Sequence, residues 1–273
     1  TSVADLFLKN AGTNYAALKS SIDNSFAPKT QTIKMDFSAS FGQKSKDVKA
    51  VNVLGFLPGT DLKDEVLVFS GHYDHIGLTT SGTDKVNNGA DDDGSGTTGV
   101  LEIARAFTKA KKAGKGPRRS ILFLTVVGEE KGLLGSEWYS EHPVFPLENT
   151  ITDLNIDMIG RTGTDYKGKT DSVNYCYLIG SDKLSTDLHK ISENANSIYT
   201  KLKIDYKFND PKDPERIYYR SDHYNFAKHG IPIIFYFNGV HEDYHKPGDE
   251  VSKINFPLLA KRAQLVYYTG WDL

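Results

Sequence analysis

Apolar, β-branched runs recur along this chain and stop abruptly at acidic residues or histidine, and this constrains the fold more than any other feature. Val66 to Phe69 precede His72, Ile121 to Val127 precede Glu129, and Leu154 to Ile156 precede Asp157. Tyr175 to Ile179 and Ile231 to Phe237 have the same character. Short runs of this composition predict buried sheet strands. Helical periodicity fills the gaps, over 97–113, 133–141, 184–199, 222–229 and 256–271. Strands alternating with helices of such lengths predict an α/β layered sheet, in which ligands collect in loops beyond the carboxyl ends of parallel strands. The polar residues that end the runs are therefore the candidate site.

A chain of 273 residues can build one large core, and we read a single domain over 1–273. The first thirty residues differ: Ala4 to Leu8 and Tyr15 to Ile22 are short amphipathic stretches ahead of Phe26-Ala27-Pro28. They predict a lead-in helical segment over 1–30, a connector from a preceding region. The chain opens at Thr1 without an apolar leader, which reads as a processed or trimmed product. With 38% hydrophobic and 25% charged residues the composition is that of a globular protein. No window approaches the ~20 apolar residues of a membrane span. A net charge of −2 argues against nucleic acid, whose binding is built from Lys and Arg neutralising phosphates. The one basic stretch, Lys109 to Arg119, reads as a solvated helix end. Cys176 stands alone, which excludes an internal disulfide.

Five segments carry candidate metal ligands: His72-Tyr73-Asp74-His75, Asp91-Asp92-Asp93, Glu129-Glu130, Asn155-Ile156-Asp157-Met158 and Tyr244-His245-Lys246-Pro247. Nitrogen and carboxylate oxygen without thiolate suit zinc, or less selectively cobalt or manganese. The surplus of carboxylates over what one ion needs points to two ions sharing one acid. Asp74 is placed to orient the His72 ring. Three adjacent aspartates repel one another unless a cation is near. Their charge excludes a phosphate-cradling loop, and their spacing excludes a helix-loop-helix calcium site. Gly94-Ser95-Gly96-Thr97 is expected to cap the following helix. Glu129 and Glu130, read as extended backbone, diverge, so that one can hold metal while the other faces a water to be activated. His75 and His223 fall near these segments without a coordination role, while His142, His189, His229 and His241 read as surface or packing residues. Gly-x-Ser-x-Gly is absent and Cys176 has no base partner, which counts against covalent serine or cysteine hydrolysis.

Taken in order, His-Tyr-Asp-His, Gly-Ala-Asp-Asp-Asp-Gly-Ser-Gly, Gly-Glu-Glu-x-Gly-Leu-Leu-Gly-Ser, Asn-Ile-Asp-Met-Ile-Gly and Ser-Asp-His-x-x-Phe-x-x-x-Gly-Ile-Pro resemble the zinc aminopeptidase family of co-catalytic dizinc exopeptidases. That family includes aminopeptidase Y, bacterial leucyl aminopeptidases, glutamate carboxypeptidases and the divergent glutaminyl cyclases. The match runs from about Val48 to Leu273. The resemblance implies a three-layer α/β/α sandwich around a mixed, mostly parallel sheet, with two zinc ions per chain. It implies that His72, Asp92 and Asp157 hold one ion and that Asp92, Glu130 and His245 hold the other. Asp92 would bridge, a choice that spacing alone does not make. By the same resemblance Glu129 is the general base, Tyr244 an oxyanion donor and Asp74 the partner of His72. Arg220, Ser221, Asp222 and His223 would line the substrate pocket.

The implied activity is hydrolysis of the N-terminal peptide bond of unblocked peptides by a metal-activated water. A glutaminyl cyclase-like acyltransferase is a weaker reading, because the tryptophan expected before the last histidine ligand is Tyr244 here. A carboxypeptidase or dipeptidase of the same fold is a further alternative. A non-catalytic binding domain is disfavoured because no ligand is lost. Peptides are the implied partners. Secretion or export to a periplasm is implied by resemblance only.

Overall fold

The β-branched runs lie in one seven-stranded sheet. Its strands in chain order are β1 (Val53–Leu57), β2 (Leu62–His72), β3 (Arg119–Val126), β4 (Thr150–Ile156), β5 (Tyr175–Ile179), β6 (Lys203–Asp205) and β7 (Ile233–Phe237). Across the sheet they run β1-β3-β2-β4-β7-β5-β6. Strands β3, β2, β4 and β7 are mutually parallel, β1 and β5 join them antiparallel, and β6 runs with β5. The computed structural model describes residues 2–42, 48–169 and 173–273.

The helices are α1 (Ser2–Leu8), α2 (Tyr15–Ser25), α3 (Gly94–Lys112), α4 (Leu134–Glu141), α5 (Thr186–Ala195), α6 (His223–Ala227) and α7 (Phe256–Asp272). The chain divides into two compact units, Thr1–Val48 and Lys49–Leu273. The first contains α1 and α2, where the lead-in segment is expected. Its α2 starts at Asn14, whose side chain accepts the Ala17 N–H at 2.8 Å.

In the second unit, alternation along each strand sorts side chains to two faces. Leu67 and Phe69 of β2 meet Val100, Ile103 and Phe107 of α3, and this side also takes in α5 and α7. Val66 and Val68 of the same strand join Tyr139 of α4 and Phe226 of α6 on the other. Burial on both faces explains why the central strands are continuous apolar runs. Ile103 is 2% exposed, so Ile103→Val, one methylene lost from a close-packed layer, is expected to cost about 1 kcal/mol, read as a lower melting temperature.

Arg262 of α7 is fully buried. It donates to the carbonyls of Ile159, Arg161, Tyr175 and Val173, tying the segment after β4 to the edge of β5. A buried cation that satisfies carbonyls in this way fixes the loop that follows Asp157.

The expected strands and helices are present, with shifted ends. The helix expected over 184–199 is α5, followed by one wider turn over Asn196–Thr200. Strands β1 and β6 had no expectation. Val53 and Phe56 of β1 are exposed, and β6 is a short edge strand of three residues, so neither has the apolar signature of the sheet interior.

Candidate metal centre

Parallel pairing brings distant residues to one edge of the sheet. His72 ends β2 in register with Val126 of β3, and Asp157 follows the last residue of β4. Beyond β3 the chain turns at Gly128 with φ 75°, a left-handed conformation that glycine adopts at little cost. The next residues, Glu129–Lys131, form a single 3-10 turn. The two glutamates therefore diverge because the backbone coils, not because it is extended as the sequence reading assumed. At Gly96 a Cβ would come within 2.3 Å of Asp93 Oδ1 and the Ile156 carbonyl, so only glycine lets α3 start this close to β4.

Side chains from five segments converge. His72 Nε2 lies 3.3 Å from Asp92 Oδ1, 3.7 Å from Asp157 Oδ2 and 3.8 Å from Glu129 Oε2. His245 Nε2 lies 3.2 Å from Asp92 Oδ2 and 3.1 Å from Glu130 Oε2. Asp92 thus turns one oxygen to each histidine, the disposition a bridging carboxylate needs. His75 also enters, with Nδ1 2.8 Å from Glu130 Oε1 and 3.9 Å from Asp92 Oδ2. Two tight groups result, His72 with Glu129 and Asp157, and His75 with Asp92 and Glu130, the ligand atoms of each lying within 4.8 Å of one another. These groups contain Glu129 where the resemblance implies Asp92, and His75 where it implies His245. His245 approaches Asp92 more closely than His75 does, and His75 approaches Glu130 more closely than His245 does.

Around this cluster, neighbouring groups hold the candidate ligands. The Asp74 main-chain carbonyl, 3.0 Å from His72 Nδ1, orients that ring, while its carboxylate stands 3.7 Å away and accepts the Glu129 N–H at 3.2 Å. Ser221 Oγ donates to Asp157 Oδ2 at 2.7 Å and accepts from Asn155 Nδ2 at 2.9 Å. The three aspartates do different work. Asp93, not the segment 94–97, caps α3 by accepting the Gly96 N–H at 2.8 Å. Asp91 accepts the Gly160 N–H at 2.6 Å. Its other oxygen, Oδ2, stands 3.3 Å from Nε2 of buried His241, while Asp92 faces His72 and His245. Asp249, fully buried, accepts the N–H groups of both Asp91 and Asp92 at 3.0 and 3.1 Å, so the loop that carries His245 also sets Asp92. Asp249, His241 and His75 are the residues that sequence reasoning missed. For Asp249 and His241 the signal was only their distance from His245, while His75 had the His72 motif itself.

The expected pocket segment is placed differently. Ser221, Asp222 and His223 are buried rather than lining the pocket. Asp222 accepts from Ser136 at 2.5 Å and His223 Nε2 bonds the Tyr218 carbonyl at 2.7 Å. Ser221 supports Asp157 from behind, while Asp222 Oδ2 and His223 Nδ1 are buried without a hydrogen-bond partner among the described residues. Of the four expected pocket residues, Arg220 alone lines the cavity of about 30 Å³ that also touches Asp92, Glu129 and Asp157. Met158, Ile217, Phe235, Phe237 and Val240 form its apolar wall, and Tyr244 closes it. The Tyr244 hydroxyl is 3.4 Å from Arg220 Nη2, and its ring stacks on His245.

Burial raises the Glu129 carboxyl to about 9 and the Asp157 carboxyl to about 7. Burial would raise Asp92 too, but hydrogen bonds from His245 and His72 hold it below the ordinary carboxylate range. Bonds to Asp92 and Glu130 raise His245 to about 9. For His223, burial depresses the ring to about 3, so it stays neutral. His72 Nε2, Asp92 Oδ2 and Glu130 Oε1 are buried and close to one another's groups, yet none makes a well-aligned hydrogen bond among the described residues. Buried acceptors and imidazole nitrogens aimed at common points, with no thiolate among them, fit divalent cations of borderline hardness.

The sequence profile of Peptidase family M28 matches residues 52–270. The chain belongs to that family. This M28 chain is similar to a "Probable leucine aminopeptidase" of Arthroderma otae, 27% identical over 82% of the chain and 58% of the relative. It is also similar to a "Probable zinc metalloprotease" of Pyrenophora tritici-repentis, 26% identical over 81% of the chain and 51% of the relative. The M28 chain thus spans about half the length of these curated relatives. Among solved structures, the LapA aminopeptidase of Legionella pneumophila superposes with a TM-score of 0.63 at 22% identity, covering 81% of this chain and 54% of LapA. At that identity the likeness supports the fold.

Proposed function

We propose that this M28 chain is a zinc-dependent aminopeptidase with two zinc ions, hydrolysing the N-terminal peptide bond of unblocked peptides. One observation carries the reading. Asp92, Glu129 and Asp157 converge on a small cavity whose remaining wall is apolar, a complement to a group the size of an ammonium. Relatives named for zinc and for aminopeptidase activity support it.

His72, Asp92 and Asp157 would hold one ion, and Asp92, Glu130 and His245 the other. When bound, the ions supply Lewis acidity to the scissile carbonyl and to the attacking water. Glu129 removes the proton from that water and delivers it to the leaving amine, serving as base and then as acid. Positive charge at the centre lowers the Glu129 carboxyl from its buried value of about 9 toward the working range. Tyr244, steadied by Arg220 at 3.4 Å, donates to the developing oxyanion, a contribution of about 2–4 kcal/mol by comparison with other lost oxyanion donors.

A carboxypeptidase needs cations for the terminal carboxylate. Arg161 is engaged by Asp243 and Asp249 at 2.8 and 3.4 Å, and Arg216 lies over the Tyr219 ring. Among the described residues Arg220 is the one arginine lining this cavity. Export from the cell, implied by resemblance, belongs to the same reading and is testable by fractionating the source cells.

Paired peptides with free and acetylated amino termini test the assignment. Acetylation removes the charge read by the acidic cluster, so acetylated peptides are expected to react about 10²-fold more slowly in kcat/KM. Equal rates would reject the aminopeptidase reading, as would pyroglutamate formation without hydrolysis from a peptide beginning with glutamine.

A further inference from the structure

Two hollows flank the metal centre and differ in size and chemistry. On the Asp157 side is the apolar cavity of about 30 Å³. On the His245 side is a cleft of about 680 Å³, walled by the segment between β2 and α3 together with His245-Lys246-Pro247. That segment is a built feature. Leu78 pairs with Val86 as a miniature hairpin, and Thr79 N–H donates to the Lys85 carbonyl at 2.9 Å. Buried Asn87 closes its base by donating to the Gly77 carbonyl from the main chain at 3.0 Å and from Nδ2 at 2.9 Å. Asn88 Nδ2 joins the stem to the histidine loop through the Pro247 carbonyl at 3.2 Å and Glu250 Oε1 at 3.0 Å.

The cleft wall is rich in neutral hydrogen-bonding groups, with Thr79, Thr80, Ser81 and Thr83 contributing hydroxyls. Among the described residues its cations are His245 and Lys246, whose Nζ donates to the Glu242 carbonyl at 2.7 Å, and Asp84 adds a carboxylate. Such a wall suits the N–H and C=O groups of a peptide main chain. A third hollow of about 380 Å³ lies beyond Tyr244 and Arg220 and shares Ile217 and Val240 with the apolar cavity, but no candidate metal ligand lines it. A chain whose amino end lies at the apolar cavity, beside Asp92, Glu129 and Asp157, and whose scissile bond crosses the metal centre leaves over His245.

We propose that the hairpin cleft holds the residues downstream of the scissile bond, so that preferred substrates are peptides of three or more residues rather than dipeptides. This rests on the aminopeptidase reading.

The test compares leucyl-glycine, leucyl-diglycine and leucyl-triglycine on the zinc-loaded wild type. Because each added main-chain hydrogen bond raises kcat/KM severalfold, an increase of about tenfold from the dipeptide to the tetrapeptide is expected. Combined Thr80→Ala, Ser81→Ala and Thr83→Ala substitutions, and separately removal of residues 80–83, are expected to flatten the series, while Lys207→Ala in the third hollow leaves the rise in place. Without metal or turnover, triglycine titrated into labelled protein is expected to shift amide resonances of 79–84. Dipeptide cleavage with a flat wild-type series overturns the cleft assignment and leaves the aminopeptidase reading standing. Flattening by Lys207→Ala with the rise intact in the hairpin variants, or triglycine shifts confined to 207–220, also overturns it. Failure to cleave any free-amino peptide overturns both.

Discussion

Glu129→Gln is expected to lower turnover of an unblocked leucyl peptide by about 10²-fold or more while leaving the metal content unchanged. The amide keeps the size of the side chain and removes the base. Its neighbour separates chemistry from coordination. Glu130 contacts His75 and His245 at 2.8 and 3.1 Å, so Glu130→Gln is expected to weaken metal retention as well as rate. Turnover measured beside elemental analysis of the same samples distinguishes the two. Near-normal turnover in the Glu129 variant at full metal content would reject the proposed base, and loss of metal from it would make Glu129 a ligand, as its proximity to His72 and Asp157 allows.

Chelation is expected to lower the melting temperature by about 5–10 °C relative to protein with two ions bound, since ligands from separate loops are tied together only in the folded chain. The gap should widen as pH rises. In metal-free protein, burial raises the Glu129 carboxyl from 4.5 to about 9 and Asp157 from 3.8 to about 7. Hydrogen bonds to carboxylates raise His245 from 6.5 to about 9. A group with a raised folded value contributes stability fully only below its unfolded value and loses it as pH climbs through the folded one. All three therefore weaken the chelated fold between about pH 4 and 9. Asp92 and Glu130 are held below their ordinary values, so their contribution is lost only at acid pH. The same deprotonations favour metal binding. Melting curves with and without chelator at pH 6 and pH 8.5 check the trend. A gap that shrinks with pH would contradict it, and elemental analysis showing one ion in fully active protein would remove Asp92 from its bridging place.

The interior strands were legible because burial on both faces demands continuous apolar runs, as in Val66 to Phe69 and Leu154 to Ile156, and a run ends where the chain leaves the sheet. His72, Glu129 and Asp157 could therefore be placed at strand ends before any fold was known. The edge strands β1 and β6 lack that demand and left no signal. At the site, the sequence supplied the chemistry: imidazole and carboxylate in excess, no thiolate, and a glutamate pair after a strand.

What the sequence by itself determined is the layered fold and the inventory of ligating groups, because hydrophobic period and residue type are local properties of the chain. Only the tertiary structure decided which group faces which. Asp93 spends both oxygens on the main chain and Asp91 divides its own between the Gly160 N–H and His241, while Asp92 turns one to His72 and the other to His245. Ser221, Asp222 and His223 withdraw behind the cavity that they were expected to line. Asp249 reaches back to the amides of Asp91 and Asp92, and His75 turns to Glu130. These assignments depend on side-chain direction and on contacts between loops far apart in the chain, set jointly by strand pairing and packing.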